Sequence, residues 1–476
     1  MRPLRSLPWA AGVLAGFGVL FVTAPRGPGR TPDGMSYLGA AQSLVSSGTL
    51  REPFADWNAS DSTSPLADYP AGFSLALALP VAAGAPPAQA ARWVEALGLA
   101  GAVGIAVALL QAVAGAEAAL AGAALLLLMP ALTDLSLWIL SEPLFLLAVA
   151  ATLAMMVRQP ERPGRAGVLA AVANLVRYAG VFLVAGAGVW AVAQPAPPRL
   201  RAWRGLKAVL PGALLHLYWA VAGISPGGGV TTSPFGGLGS ALREGWATGL
   251  DWLVPGVSGW LAGVLGAGLI AVIGWTGGQV ARRGTAVQRR LLLAGAGLSA
   301  IYAGTVGFAR LFVIPDVPFD TRILSPLFFL LVVCLAAVAP RRPGAVVILV
   351  VWCVMAARRD VGTVRNAWAG GLGYEAAEWQ ESPVAGWLRG AGRSRSLYTT
   401  DPAGVWYLAG RPSRLLPATL EPDSVRAFGS RFAATPSALV AFDENFAGSV
   451  SGDSLALDLH LVPVARFAHG TVWVAP

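Results

Sequence analysis

A carboxylate at the edge of an apolar run is where chemistry on a lipid head group would place its base. Asp33 holds such a position: it follows Thr31-Pro32, beyond the first long apolar stretch, and heads an apolar-periodic segment (Met35, Leu38, Ala41, Leu44, Val45). A carboxylate there serves as a general base, or as a helix N-cap that satisfies orphan backbone N–H groups. Tyr37 lies four residues on and shares its helical face. Other ionisable side chains recur at the ends of apolar runs: Asp68, Asp134, Glu142, Arg177, Arg310, Asp320 and Arg322. Such groups are costly at a membrane boundary and tend to be functional. Arg177 and Arg322 fall at one expected depth, facing acidic residues. Singly, each reads as a solvated boundary charge. Together they suit a phosphate, which the guanidinium fork binds in bidentate fashion while staying charged.

Several of the same residues have plainer readings. Tyr69-Pro70 opens an apolar segment, PAGFSLALALP, too short to span a bilayer, and Tyr69 suits an interface anchor as well as a cavity wall. In Ser141-Glu142-Pro143, proline fits a first helical turn and Ser141 or Glu142 fits the cap. That leaves unexplained a full charge set against so apolar a helix. Tyr178 follows Arg177 at the junction of two short apolar runs. His216 lies within a span and reads as a hydrogen-bonded core histidine rather than a proton relay. His460 and His469 have no companions at metal-ligand spacing. Cys334 and Cys353 both fall inside apolar runs and read as small core residues, not as a disulfide or zinc pair. No Walker or dinucleotide-binding pattern is present.

The elements that must position these groups follow from composition. The chain has 476 residues, is 55% hydrophobic and only 12% charged, against about 25% charged in soluble domains. It reads as a polytopic all-α membrane bundle. Apolar runs at roughly 7–24, 88–114, 117–134, 138–157, 167–177, 178–193, 208–224, 253–275, 291–311, 323–339 and 344–357 predict about 11 transmembrane helices. The first run, preceded by Arg2 and Arg5, is read as an uncleaved anchor. Arginines cluster at 158–165, 199–207, 282–290 and 341–342, while the alternate loops carry isolated ones. The positive-inside rule then places the N-terminus in the cytoplasm. Residues 25–87, the glycine- and serine-rich loop 225–252 and everything after about 358 face outward. The net charge of +9 is spread over these short loops, so it is no sign of a nucleic-acid partner. Residues 1–357 form the membrane domain. Residues 358–476 form a small extracytoplasmic α/β domain, with strands at SLYTT, SALVAF, VPVARF and TVWVAP and helices at DPAGVWYLAG and EPDSVRAFGSRF.

One ordered set of segments runs through the chain: a first span, PDGMSYLGAAQSLVSSGTL, YPAGFSLALALP, SEPLFLLAVAATLAMM, ANLVRYAGVFLVAGAG and DTRILSPLFFLL. This order resembles the C-type (GT-C) membrane glycosyltransferases, in the branch related to protein mannosyltransferases and the lipid A aminoarabinose transferase. The tail segments YEAAEWQESPVAGWLRG and SLYTTDPAGVWYLAGRPSRLLP are similar to the outer domain of many members. The resemblance implies an inverting enzyme of the bacterial inner membrane and cell envelope. It would take a sugar from a polyprenyl-phosphate donor, with membrane lipids around it and an acceptor the sequence does not name. It implies Asp33 as the acceptor-activating base and Arg177 and Arg322 at the donor phosphate, and Glu142 matches the family's Ser-Glu; Tyr37, Tyr69 and Tyr178 are read beside them, from their own positions, as walls of the substrate cavity together with Glu142. Many relatives carry a second acidic residue directly after the first, sometimes tied to a divalent metal, magnesium or manganese. This chain has Gly34 there.

Two other classes compete. A transporter or flippase would collect its ionisable residues near the bilayer midplane on broken, paired helices, whereas here they gather toward one face. A catalytically inactive membrane scaffold is favoured only by Gly34.

Overall fold

A computed structural model describes residues 5–222, 237–313, 317–338, 343–443, 450–467 and 469–476. Of the features read from sequence, the glycine-rich stretch 225–236 and the pair Arg341 and Arg342 lie outside the described residues.

A backbone without water to bond must satisfy its own N–H and C=O groups, so the apolar runs fold as helices. In chain order these are α1 (Leu7–Val22), α2 (Pro32–Ser47), α3 (Gly72–Ala82), α4 (Pro87–Ala114), α5 (Ala116–Leu127), α6 (Pro130–Ser136), α7 (Glu142–Arg158), α8 (Pro163–Val176), α9 (Val181–Ala193) and α10 (Pro198–Val221). They continue with α11 (Leu238–Leu253), α12 (Gly259–Arg283), α13 (Ala286–Phe308), α14 (Thr321–Val338) and α15 (Pro343–Gly370). Among the described residues, four helical stretches are long and apolar enough to cross a bilayer: Pro87–Ala114, Gly259–Val280, Ala286–Val313 and Thr321–Val338. α5 and α6 together make a fifth, bent by 48°, at a break where Pro130 opens α6 and supplies no N–H. Four further apolar helices are shorter. Of the eleven expected spans, four or five therefore meet that length and apolarity. The chain is a multi-pass membrane protein.

The chain divides into two compact units. The first comprises Met1–Pro25, Ala67–Phe73 and Ala91–Ala369. Within it α8 packs against α7, α9 and α10, and α14 packs against α5, α6 and α13. The α8–α10 crossing is so close that a Cβ on Gly167 would lie 2.2 Å from the carbonyl oxygen of Ala208. Two expectations are corrected here. Part of the expected loop 225–252 is helix α11, whose Leu238, Leu242 and Trp246 form an exposed apolar face at helical spacing. The last expected span, 344–357, is only the first half of α15, which continues to Gly370.

The second unit comprises Arg26–Leu66, Ser74–Ala90 and Gly370–Pro476. Its strands are β1 (Arg51–Glu52), β2 (Phe54–Ala55), β3 (Ser64–Pro65), β4 (Ser396–Thr399), β5 (Ser413–Arg414), β6 (Ser437–Phe442), β7 (Val462–Phe467) and β8 (Gly470–Val474). β1 and β3 pair alone; the rest form one sheet in the order β2-β5-β4-β6-β8-β7. β2, β5, β4 and β6 run parallel, β8 pairs antiparallel with β6, and β7 pairs antiparallel with β8. Strand side chains alternate between faces, so Leu397, Ala438 and Val440 share a cluster with Trp379 of the short α16 (Ala377–Gln380), α17 (Pro383–Arg389) and α18 (Pro402–Ala409). On the other face Tyr398, Leu439 and Ala441 meet α19 (Pro422–Ala433) and α20 (Gly452–Asp458). The stretch between α2 and α3 belongs to this sheet: β2 pairs with β5, Phe54 opposite Ser413. Arg30 joins Glu375 at 2.6 Å and stacks over the Tyr407 ring.

The Gly167 crossing yields a test. Gly167→Ala inserts a methyl against backbone that cannot retreat, and overpacking of this kind costs about 1–3 kcal/mol. A lower unfolding midpoint in detergent is expected. Gly263→Ala on α12, where nothing stands within 4 Å, is expected to leave it unchanged or raise it.

Candidate active site

The Ser-Glu-Pro tripeptide, the Arg-Tyr break and the Asp-Thr-Arg start meet in the first unit. Glu142 is the first residue of α7 and is 1% exposed. Its Oε1 accepts Arg177 Nη1 at 2.5 Å and Arg322 Nε at 2.5 Å. A buried carboxylate needs such partners, because desolvation alone would forbid its charge. This is the reason a full charge stands at the head of an apolar helix. Ser141 occupies the cap position, but its hydroxyl makes no cap bond. It accepts Arg177 Nη1 at 3.1 Å instead, so the expectation of a side-chain cap from Ser141 is corrected: the hydroxyl is drawn to the stronger, charged donor.

Each arginine is placed by a local break in helix. α8 stops at Val176, and Arg177 takes an extended backbone conformation (φ −146°, ψ 137°). A one-turn 3₁₀ segment, Tyr178–Gly180, then leads into α9. The turn is tight enough that a Cβ on Gly180 would lie 2.4 Å from the Asn174 nitrogen, so glycine is required there. Arg322 sits in the first turn of α14, whose start is fixed by Asp320 Oδ1 accepting the Ile323 N–H at 2.9 Å. The buried Tyr302 hydroxyl donates to the Ile323 carbonyl and its ring meets Phe182 edge-on. The carboxylate is sealed, whereas the guanidinium side chains keep 15% (Arg177) and 28% (Arg322) exposure. Two guanidiniums share this one carboxylate, an arrangement that can hold an anion.

Other expected residues are placed differently. The Tyr178 hydroxyl donates to the Ala67 carbonyl at 3.0 Å, and its ring meets Trp219. Tyr69 is half-buried and Asp68 exposed. Asp134 does not join the trio; it takes both Nη atoms of Arg359 at 2.5 and 2.8 Å, with Asp251 also on Arg359 at 3.1 Å. Arg310 donates to the Val317 carbonyl at 2.7 Å and pairs with Glu244. His216 is hydrogen-bonded to Asn174 Nδ2 at 2.9 Å as expected, but it lies on an exposed helix face rather than in the core.

Asp33 and Tyr37 belong to the second unit, in the first two turns of α2. The cap reading of Asp33 is corrected: Thr31 is the N-cap, its Oγ1 accepting the Gly34 N–H at 3.1 Å. Asp33 is half-buried and stands in the first turn, where the helix dipole favours a negative charge. Tyr37 is 2% exposed, and its carbonyl accepts the Ser74 hydroxyl. Among the described residues no group of three His, Cys, Asp or Glu side chains is arranged to hold a metal ion.

No family model matches the sequence, and no curated protein matches it. Solved structures do match. ArnT from Cupriavidus metallidurans, bound to undecaprenyl phosphate, superposes with a TM-score of 0.56 at 14% identity over 98% of each chain. The mycobacterial arabinofuranosyltransferase AftD gives 0.56 at 17% identity, over 99% of this chain and 41% of its own. The oligosaccharyltransferase AglB from Archaeoglobus fulgidus, in complex with an inhibitory peptide and a dolichol-phosphate, gives 0.52 at 11% identity over 92% and 69%. The fold of this chain is the one seen in ArnT, AftD and AglB.

Proposed function

We propose that this protein is an integral-membrane glycosyltransferase that moves a sugar from a polyprenyl-phosphate donor to an extracytoplasmic acceptor. The observation that carries the reading is the Glu142–Arg177–Arg322 trio, two partly exposed guanidiniums set on one buried carboxylate, in a fold whose solved examples include lipid-phosphate complexes. A donor held by the bilayer needs no nucleotide-binding domain. Arg177 and Arg322 bind the donor phosphate, with Tyr178 and Tyr69 beside the same substrate. Asp33 takes the proton of an acceptor hydroxyl as that oxygen attacks the anomeric carbon. The bond between that carbon and the phosphate oxygen breaks, its electron pair leaves with the polyprenyl phosphate, and the configuration inverts. The guanidiniums stabilise the charge growing on the departing phosphate. The proposal includes a bacterial inner-membrane location, eleven spans, a cytoplasmic N-terminus, and an extracytoplasmic domain over residues 358–476. The acceptor is a lipid, a glycan or a protein.

Three outcomes test it. Asp33→Asn is expected to reduce transfer by about 10²–10⁴-fold, the usual contribution of general-base catalysis, while polyprenyl-phosphate binding and folding persist. Transfer at the parental rate in that variant contradicts the role of Asp33. Arg177→Ala and Arg322→Ala are each expected to weaken binding of undecaprenyl phosphate about tenfold or more, consistent with losing a charge-assisted hydrogen bond. Unchanged binding in both removes the reading. Arg177→Ala is also expected to lower the unfolding midpoint, because truncating one partner of a buried ion pair costs about 3–5 kcal/mol.

A further inference from the structure

Glu95 is a carboxylate in the long apolar helix α4, and nothing above uses it. It is 0% exposed. Its Oε1 accepts the backbone N–H of Leu140 at 2.8 Å. Its Oε2 is buried with no hydrogen-bond partner among the described residues. A carboxyl group buried at half its hydrogen-bonding capacity is expensive, and an apolar helix would be cheaper without it.

The place where it acts gives the reason. Leu140, Ser141 and Glu142 form the turn between α6 and α7, and all three are buried. Ser141 Oγ and Glu142 Oε1 are both bonded to Arg177, and Glu142 Oε1 also to Arg322. A movement of this turn therefore moves both guanidiniums. A second observation puts the same face of α4 against the same segment: three residues on from Glu95, a Cβ on Gly98 would lie 2.9 Å from the Pro143 carbonyl oxygen and the Leu144 nitrogen. So α4 grips the head of α7 twice, through a side-chain hydrogen bond at Leu140 and through backbone contact at Pro143.

We infer that Glu95 is a positioning residue: by holding the Leu140 N–H, it fixes the turn that aims Arg177 and Arg322 at the donor phosphate. The inference rests on the proposed phosphate-binding role of those arginines. The essential property is a hydrogen-bond acceptor at the distance of Oε1. Glutamine keeps that acceptor and the side-chain length; alanine removes it.

The experiment measures, in detergent-solubilised full-length protein, the Kd for undecaprenyl phosphate, and KM and kcat for a polyprenyl-phosphate sugar, both per folded molecule. Glu95→Ala is expected to raise Kd and KM about tenfold, with a much smaller effect on kcat. Glu95→Gln is expected to stay within about twofold of the parent. Added to an Arg177→Ala/Arg322→Ala protein, Glu95→Ala is expected to worsen the Kd no further, because it acts only through those two arginines. If Glu95→Ala does not accumulate, Gly98→Ala, which pushes a methyl against Pro143 with Glu95 intact, is expected to show the same rise in KM. A fall in melting temperature alone, with Kd and KM unchanged, overturns the inference, as does a Glu95→Gln variant as impaired as Glu95→Ala. Should Arg177→Ala and Arg322→Ala keep full affinity, the phosphate-binding reading itself fails. Should they lose it while Glu95→Ala does not, only the inference about Glu95 fails.

Discussion

A single buried carboxylate oxygen organises the membrane unit. Glu142 Oε1 receives two guanidinium groups from different helices, and the carboxylate is shut away from solvent while the cations are not. Either charge type alone would be untenable at that depth, since an uncompensated buried ion costs several kcal/mol. Held together, they make Arg177 and Arg322 stationary. Binding an anion then requires little reorganisation, and preorganisation of this kind is what makes electrostatic stabilisation effective. The local breaks around the trio serve the same end. The stop of α8 at Val176, the Gly180 turn and the Asp320 cap each bring a long, flexible side chain to a fixed starting point.

Charge elsewhere in the unit follows the same rule of pairing with a separate purpose. Arg359 collects Asp134 and Asp251 from α6 and α11, and Asp360 accepts the Thr133 hydroxyl. This network ties helices together. In the second unit, the mixed sheet recruits β2 from the stretch between α2 and α3, and Arg30 and Tyr374 are held by Glu375 and Asp401. The helix carrying Asp33 is therefore rooted in the same unit as the C-terminal sheet, and its conformation depends on residues more than 300 positions away.

Much of this was legible in the chain. Apolar runs with caps and prolines located α1, α4, α7 and α14, and the shortness of two neighbouring runs marked the break at Arg177. Alternating strands in the tail were legible because each face of the sheet is covered by a different pair of helices, so the period of two is preserved. Three features were not. The pairing of Glu142 with both arginines depends on how α7, α8 and α14 pack, which no local pattern encodes. α11 has a glycine-rich, charged composition that reads as loop; the signal was the spacing of Leu238, Leu242 and Trp246. Glu95 was passed over as one charge within a long apolar run, although an isolated carboxylate in such a run is itself the signal. The cap reading at Asp33 failed for a local reason, because Thr31 stands two residues earlier with a hydroxyl at the right distance from the Gly34 N–H.

The central claim is that the two guanidiniums on Glu142 are the seat of the donor's phosphate. The most direct measurement is a cryo-electron-microscopy structure of the full-length protein with undecaprenyl phosphate bound. The account predicts phosphate oxygens within about 3 Å of both Arg177 and Arg322, at charge-assisted hydrogen-bond distance, with Glu142 still against the far side of the pair. A phosphate bound elsewhere, away from both arginines, would contradict it.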